Sequence, residues 1–348
     1  MSSLRARLRA RLWGPGAWRA WLGMALFLAL FGYALFAILW RELPRLDLRE
    51  LFSRVSAGDV ALALVVYSAD LALAIGGWAI ILGVLSGLWH PLDHFRIYTL
   101  TAITRRLPGT FWYLLGRVVL YERLGIARAI TAVAGAFEFA ATALGGVLVA
   151  IVTWPLALAS QQISPAWLAV PVLLCAALLN PPAVRGIVRR LSPDHHTPPV
   201  SYRTLLAWVL LYALVWAVGG VLLFVTVRAI HPLPAAHLPA MIGVWSAAGL
   251  VSMLLGSFVP FGLGVTEVTL ATLLTPFMPA SEALFVALLM RALLTLCELG
   301  YGLVGGLLCL PDLLRRSPVP DEGRPLVDAE KPDEVAGAGA VVPPKEMA

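Results

Sequence analysis

Five ionisable residues stand inside long apolar runs of this chain: Asp70, Glu138, Glu267, Arg291 and Glu298. Each costs about 2.5–3.5 kcal/mol at the centre of a membrane helix, so such groups face a partner or a wet cavity and point to function. A carboxylate there can carry a proton, and the planar guanidinium of Arg291 can grip a phosphate through parallel N–H donors. Arg291 and Glu298 are seven residues apart and share one helix face. That face runs on into Gly302, Gly305 and Gly306, where a second helix can pack closely. The alternative is structural. Arg291 then neutralises Glu138 or Glu267, and Asp70 makes a contact between helices. Glu298 lies nearer the membrane edge and reads as structural.

Two irregular stretches must position these groups. In Phe258-Val-Pro-Phe-Gly-Leu-Gly-Val-Thr-Glu267, Pro260, Gly262 and Gly264 interrupt the apolar pattern. Irregular backbone survives in lipid only against protein or a wet cavity. Glu267 falls in the first turn of the helix that follows, near the positive end of its dipole. The second stretch is Arg105-Arg-Leu-Pro-Gly109, with Trp112 and Tyr113 before Gly116-Arg117. Arg105, Arg106 and Arg117 around Pro108 and Gly109, with aromatic residues between them, suit an interface that reads phosphate head groups. A positive-inside anchor fits them equally. After each break come a short apolar piece, a turn, and a long apolar helix with a charge inside it. Glu138 follows Gly109 by 29 residues and Arg291 follows Gly264 by 27. Paired units of this kind point to a transporter-like site at a repeat interface, arranged as an inverted repeat.

Composition sets the surroundings. The 348 residues are 60% hydrophobic and only 13% charged, with mean hydropathy +0.84; a soluble domain carries about 25% charge. The fold class expected is an all-α polytopic membrane protein with about eight membrane segments, two of them broken or re-entrant. Spans are expected at about Ala20–Trp40, Ala57–Trp89, Ala129–Val152, Trp167–Leu179, Leu205–Val227 and Leu238–Phe258. A short insertion at Val265–Phe277 and a last span at about Ser281–Leu310 complete the set. A short surface helix is expected within residues 41–57.

Residues 1–19 carry five arginines, which place the N-terminus in the cytoplasm. Residues 20–310 form the membrane domain, and 311–348 an acidic, Pro- and Gly-rich tail that cannot order itself and stays cytoplasmic. The basic excess therefore belongs to membrane-flanking loops and not to a nucleic-acid surface. Cys175, Cys297 and Cys309 are scattered through apolar runs, which argues against disulfides or a metal site. The six histidines are expected in loops. No catalytic set, metal motif or cofactor fingerprint emerges.

At the two breaks the chain resembles the transmembrane domain family of lysylphosphatidylglycerol synthase, the flippase-like domain of the multiple peptide resistance factor. Arg105-Arg-Leu-Pro-Gly-Thr-Phe-Trp112 with Gly116-Arg117 and Glu138 carries one half of the likeness. Val259-Pro-Phe-Gly-Leu-Gly-Val-Thr-Glu267 with Arg291 downstream carries the other. The resemblance implies a bacterial inner-membrane protein that moves or presents a lipid across the bilayer. The full-length synthases add a soluble transferase domain, for which the 37 residues after Pro311 leave no room. The function expected is translocation of a phosphate-bearing lipid, with Arg291, Arg105, Arg106 and Arg117 on phosphate. Glu267, Glu138 and Asp70 would shape the cavity or carry protons. Two rivals are a membrane-embedded lipid or glycosyl transferase, and a non-catalytic partner that holds an envelope-biosynthesis enzyme.

Overall fold

Thirty consecutive residues from Ala57 to Ser86 are apolar on nearly every side, and a bilayer gives such a run one solution, a helix whose backbone satisfies itself. The computed structural model describes residues 48–106, 112–157, 201–255 and 264–314. The expected spans at Ala20–Trp40 and Trp167–Leu179, and most of the tail, lie outside them. Among the described residues every regular element is a helix, in the order α1 (Leu48–Arg54), α2 (Ala57–Ser86), α3 (Pro91–Ala102), α4 (Trp112–Glu122) and α5 (Arg128–Ala157). After them come α6 (Tyr202–Ile230), α7 (Leu238–Leu255), α8 (Val265–Leu274) and α9 (Ala280–Leu314). Among the described residues, five segments are long and apolar enough to cross a membrane: α2, α5 through Thr153, α6, Ala235–Leu255 and α9 through Cys309. The chain divides into two units at Leu310.

Local chemistry sets the helix ends. Ser56 caps α2 in a reciprocal box, its Oγ accepting from the Asp59 N–H while the Asp59 carboxylate accepts from the Ser56 N–H, each at 3.1 Å. Gly87 ends α2 in the left-handed region at φ 78°. Ser201 caps α6 through the Thr204 N–H.

Contacts along the helices give their directions. Arg54 donates to the Ile230 carbonyl, and Gly77 faces Tyr212, so α2 and α6 are antiparallel. Phe52 meets Phe285 and Tyr67 meets Tyr301, so α9 runs with α2. Phe137 packs on Trp208 and Trp216 donates to the Thr142 carbonyl, so α5 runs with α6. The long helices α5 and α9 therefore run in opposite directions.

Without a hydrophobic drive between helices in lipid, close approach of small residues supplies the packing. A Cβ on Gly145 of α5 would stand 2.6 Å from the Ala213 N and 2.8 Å from the Tyr212 carbonyl carbon of α6. The glycine face of α9 is used as its spacing suggests: Gly302 lies against Ile103, and a Cβ on Gly305 would stand 2.8 Å from the Arg96 carbonyl oxygen of α3. Leucines left outside form stripes at helical spacing, Leu206, Leu210 and Leu214 on α6 and Leu296, Leu299, Leu303 and Leu307 on α9. Apolar surface of this extent suits acyl chains.

Gly145→Ala must push α5 from α6 against backbone atoms, and should cost about 1–3 kcal/mol. Gly76→Ala, where nothing lies within 4 Å, should be neutral or slightly stabilising. Thermal unfolding of the purified variants compares them; equal melting temperatures would contradict the close contact.

Candidate functional site

Two ion pairs stand at the middle of the bundle, and each ties a short helix to the long helix after it. The first joins α4 to α5. Arg117 Nη1 donates to Glu138 Oε2 at 2.6 Å, with the two side chains 0% and 7% exposed. Glu138 lies ten residues into α5 from Arg128, about 15 Å along the axis and so near the middle of a bilayer core of about 30 Å. The guanidinium is enclosed by aromatic rings: its Cζ is 4.0 Å from the Tyr98 ring centre, 4.3 Å from Trp78 and 5.1 Å from Tyr113. The Tyr212 hydroxyl donates to Glu138 Oε1 at 3.3 Å. Cation–π attraction strengthens when water is excluded, so the cage holds the charge that the carboxylate neutralises. Arg117 is thus an internal residue, and Glu138 is its partner rather than that of Arg291.

A polar chain continues from this pair. Trp78 Nε1 donates to the Tyr121 hydroxyl at 2.8 Å, and that hydroxyl lies 2.8 Å from His94 Nδ1. An indole only donates, so the Tyr121 oxygen accepts from Trp78 and its proton goes to His94 Nδ1. The His94 proton then sits on Nε2, facing the Leu88 carbonyl at 3.2 Å. Burial holds this imidazole below its ordinary pKa and pushes the Tyr121 phenol well above its own, so both stay neutral. His94 is therefore a buried residue within α3, where the sequence suggested a loop. Asp93 and Arg96 beside it disguise the site, and they pair with each other at 2.6 Å.

The second ion pair joins α8 to α9. Arg291 Nη1 donates to Glu267 Oε1 at 2.7 Å, and Glu267 Oε2 accepts from the Gly264 N–H at 2.8 Å. Gly264 adopts φ 85°, in the left-handed region that favours glycine, and starts α8. The ten residues of α8 span about 15 Å, half a bilayer core, so its N-terminus opens at mid-depth. Arg291 lies 11 residues into α9, about 16 Å from its start. Glu267 and Arg291 are 9% and 25% exposed, because they line a cleft of about 270 Å³. Its other walls are Trp245, Thr266, Leu270, Ala287, Met290, Leu294 and Glu298. Glu298, read from sequence as an edge residue, belongs to this cleft.

The remaining sequence candidates are less defined. Asp70 is half-buried midway along α2 and is not among the cleft-lining residues. Arg105 and Arg106 end a 3-10 turn after α3. Their side chains, and Pro108, Gly109, Pro260 and Gly262, lie outside the described residues. No group of three or more metal-ligating side chains occurs among the described residues. Comparison with protein-family models and with curated proteins gives no match to this chain.

Removing one partner of a buried pair strands the other charge, at about 3–5 kcal/mol. Arg117→Ala should therefore unfold at far lower temperature than Arg291→Ala, whose cleft admits water; a reversed order would contradict the two environments. His94 supplies a pH test. Its folded-state pKa is lowered, so its contribution to stability is full above about pH 6.5 and is lost as pH falls toward the folded value. Melting temperature should fall with acidification below that point more steeply in the wild type than in His94→Gln. Parallel curves would remove His94 from the account.

Proposed function

We propose that this chain translocates a phosphate-bearing lipid across a bacterial inner membrane through the Glu267–Arg291 cleft. The single observation that carries the reading is an arginine at mid-depth, partly exposed in a cleft, beside the N-terminus of a helix half a bilayer long. A guanidinium and helix-terminal N–H groups are the donors a phosphate oxygen accepts from. A head group drawn along such a cleft keeps its charge off the acyl chains.

The reading includes about eight membrane segments around an inverted repeat. In its support, α4–α5 and α8–α9 each consist of a short helix, a tight turn and a long helix tied by an ion pair well inside the long helix, and α5 and α9 run oppositely. The acid and base exchange places between the two. It also includes cytoplasmic termini, by the positive-inside rule. Arg96, Arg105, Arg106, Arg123, Arg128 and Arg203 flank the α3–α4 side against Asp93 and Glu122. The α1 side carries Arg49, Arg54 and Arg228 against Glu50, Asp59 and Glu282, an even balance. The α3–α4 side is then cytoplasmic. Membership of the lysylphosphatidylglycerol synthase transmembrane family rests on the two motifs and belongs to the same proposal.

The purified protein in liposomes should speed transbilayer movement of labelled phosphatidylglycerol. Arg291→Ala, losing a charge-assisted bond to phosphate, should reduce that rate about tenfold or more. Unchanged movement in a folded Arg291→Ala variant would end this reading.

A further inference from the structure

The two ion pairs differ in one respect that bears on energy coupling. Arg117 is walled in by three rings and a carboxylate, and no ligand can reach it without dismantling the core. Arg291 is bound only on one side, and its free edge faces the cleft. Glu267 already occupies the place a phosphate would take, since it accepts from both the guanidinium and the Gly264 N–H.

We propose that an anionic phosphate ester enters this cleft only together with a proton taken up by Glu267, exchanging a carboxylate for a phosphate at Arg291 with no change in net charge. The inference rests on the lipid-translocation reading and adds the coupling to it. Among the described residues, the charged groups lining the cleft are Glu267 on α8 and Arg291 and Glu298 on α9; α7 contributes Trp245, which does not titrate. A phosphodiester that arrived alone would set a second negative charge beside Glu267 at the one guanidinium. Like charges crowded into a poorly solvated site do not all stay ionised.

The proton resolves this. It leaves solution and bonds to a Glu267 oxygen, which removes the charge attraction to Arg291 and frees the guanidinium fork. The neutral acid then has an O–H to donate to a phosphate oxygen. With Glu267 ionised the Glu267–Arg291 pair sums to zero; with Glu267 protonated and the phosphodiester bound at Arg291 the sum is again zero. No other bond forms or breaks. Movement of the lipid anion with its proton then draws on a proton gradient and is indifferent to the electrical potential.

The test is calorimetric. Full-length protein in maltoside micelles is titrated with short-chain phosphatidylglycerol in two buffers of different ionisation enthalpy, which reports protons exchanged per ligand. Glycerophosphoglycerol, the same phosphodiester without acyl chains, is titrated in parallel. The wild type should take up about one proton per ligand, and its Kd should rise about tenfold per pH unit once Glu267 is ionised. Glu267→Gln, a permanent mimic of the protonated acid, should bind without proton uptake and with a Kd independent of pH. Equal binding of the two phosphodiesters would assign the coupled site to a soluble ester, and binding of the acylated one alone to a lipid. Wild-type binding without proton uptake, or uptake that persists in Glu267→Gln, overturns the coupling alone. Absence of saturable binding in wild type and Glu267→Gln alike overturns the translocation reading beneath it.

Discussion

A charge placed in hydrocarbon must be neutralised where it stands, and in this protein that requirement decides which helices are bound to which. Short helices such as α4 and α8 bury too little apolar surface to hold themselves at mid-depth. The Arg117–Glu138 bond fastens α4 to α5, and the Glu267–Arg291 bond fastens α8 to α9. Each bond crosses from a short helix to the long one that follows a tight turn, so the turn geometry and the register of the pair are fixed together. The glycine contacts of Gly145 on α6 and of Gly302 and Gly305 on α3 then set how closely the long helices approach. The leucine stripes outside face the solvent that made the charges costly in the first place.

The surroundings of the two bonds make them different devices. Around Arg117 the protein has replaced water with aromatic faces, a second donor on the carboxylate and the neutral Tyr121–His94 pair. A buried, closely packed network of that kind rigidifies. Around Arg291 one side remains open, and the carboxylate partner is shared with a helix N-terminus. A bond with a competing donor and a cleft beside it can be exchanged for another ligand. The proposed function is placed at the second bond for that reason, while the first keeps its half of the bundle in shape.

The spans α2, α5, α6, α7 and α9 were legible in the sequence because a long apolar run has one stable form in lipid, and their expected bounds fall within a few residues of those seen. The helix-facing glycines of α9 and the intramembrane Glu267 and Arg291 were legible for the same reason: each departs from the apolar background at helical spacing. The role of Arg117 was not. Its cage draws Trp78, Tyr98 and Tyr113 from three helices, and nothing local to residue 117 announces them. One signal was available: Arg117 is alone among Leu114, Leu115, Val118, Val119 and Leu120, where an interfacial anchor would have charged neighbours. His94 was hidden in the opposite way, because Asp93 and Arg96 on the same helix satisfy one another and make the segment look solvated.

The central claim is that a water-accessible cleft reaches Glu267 and Arg291 at the middle of the membrane, and cysteine accessibility measures it directly. With the native cysteines at 175, 297 and 309 replaced by alanine, Thr266→Cys places a thiol on the cleft wall, Leu303→Cys one on the lipid face and Ala134→Cys one in the packed core. A charged, membrane-impermeant thiol reagent applied to sealed vesicles should label the Thr266→Cys protein and leave the other two unlabelled. Thr266→Cys as inert as Ala134→Cys, from both sides of the membrane, would mean that no such cleft exists.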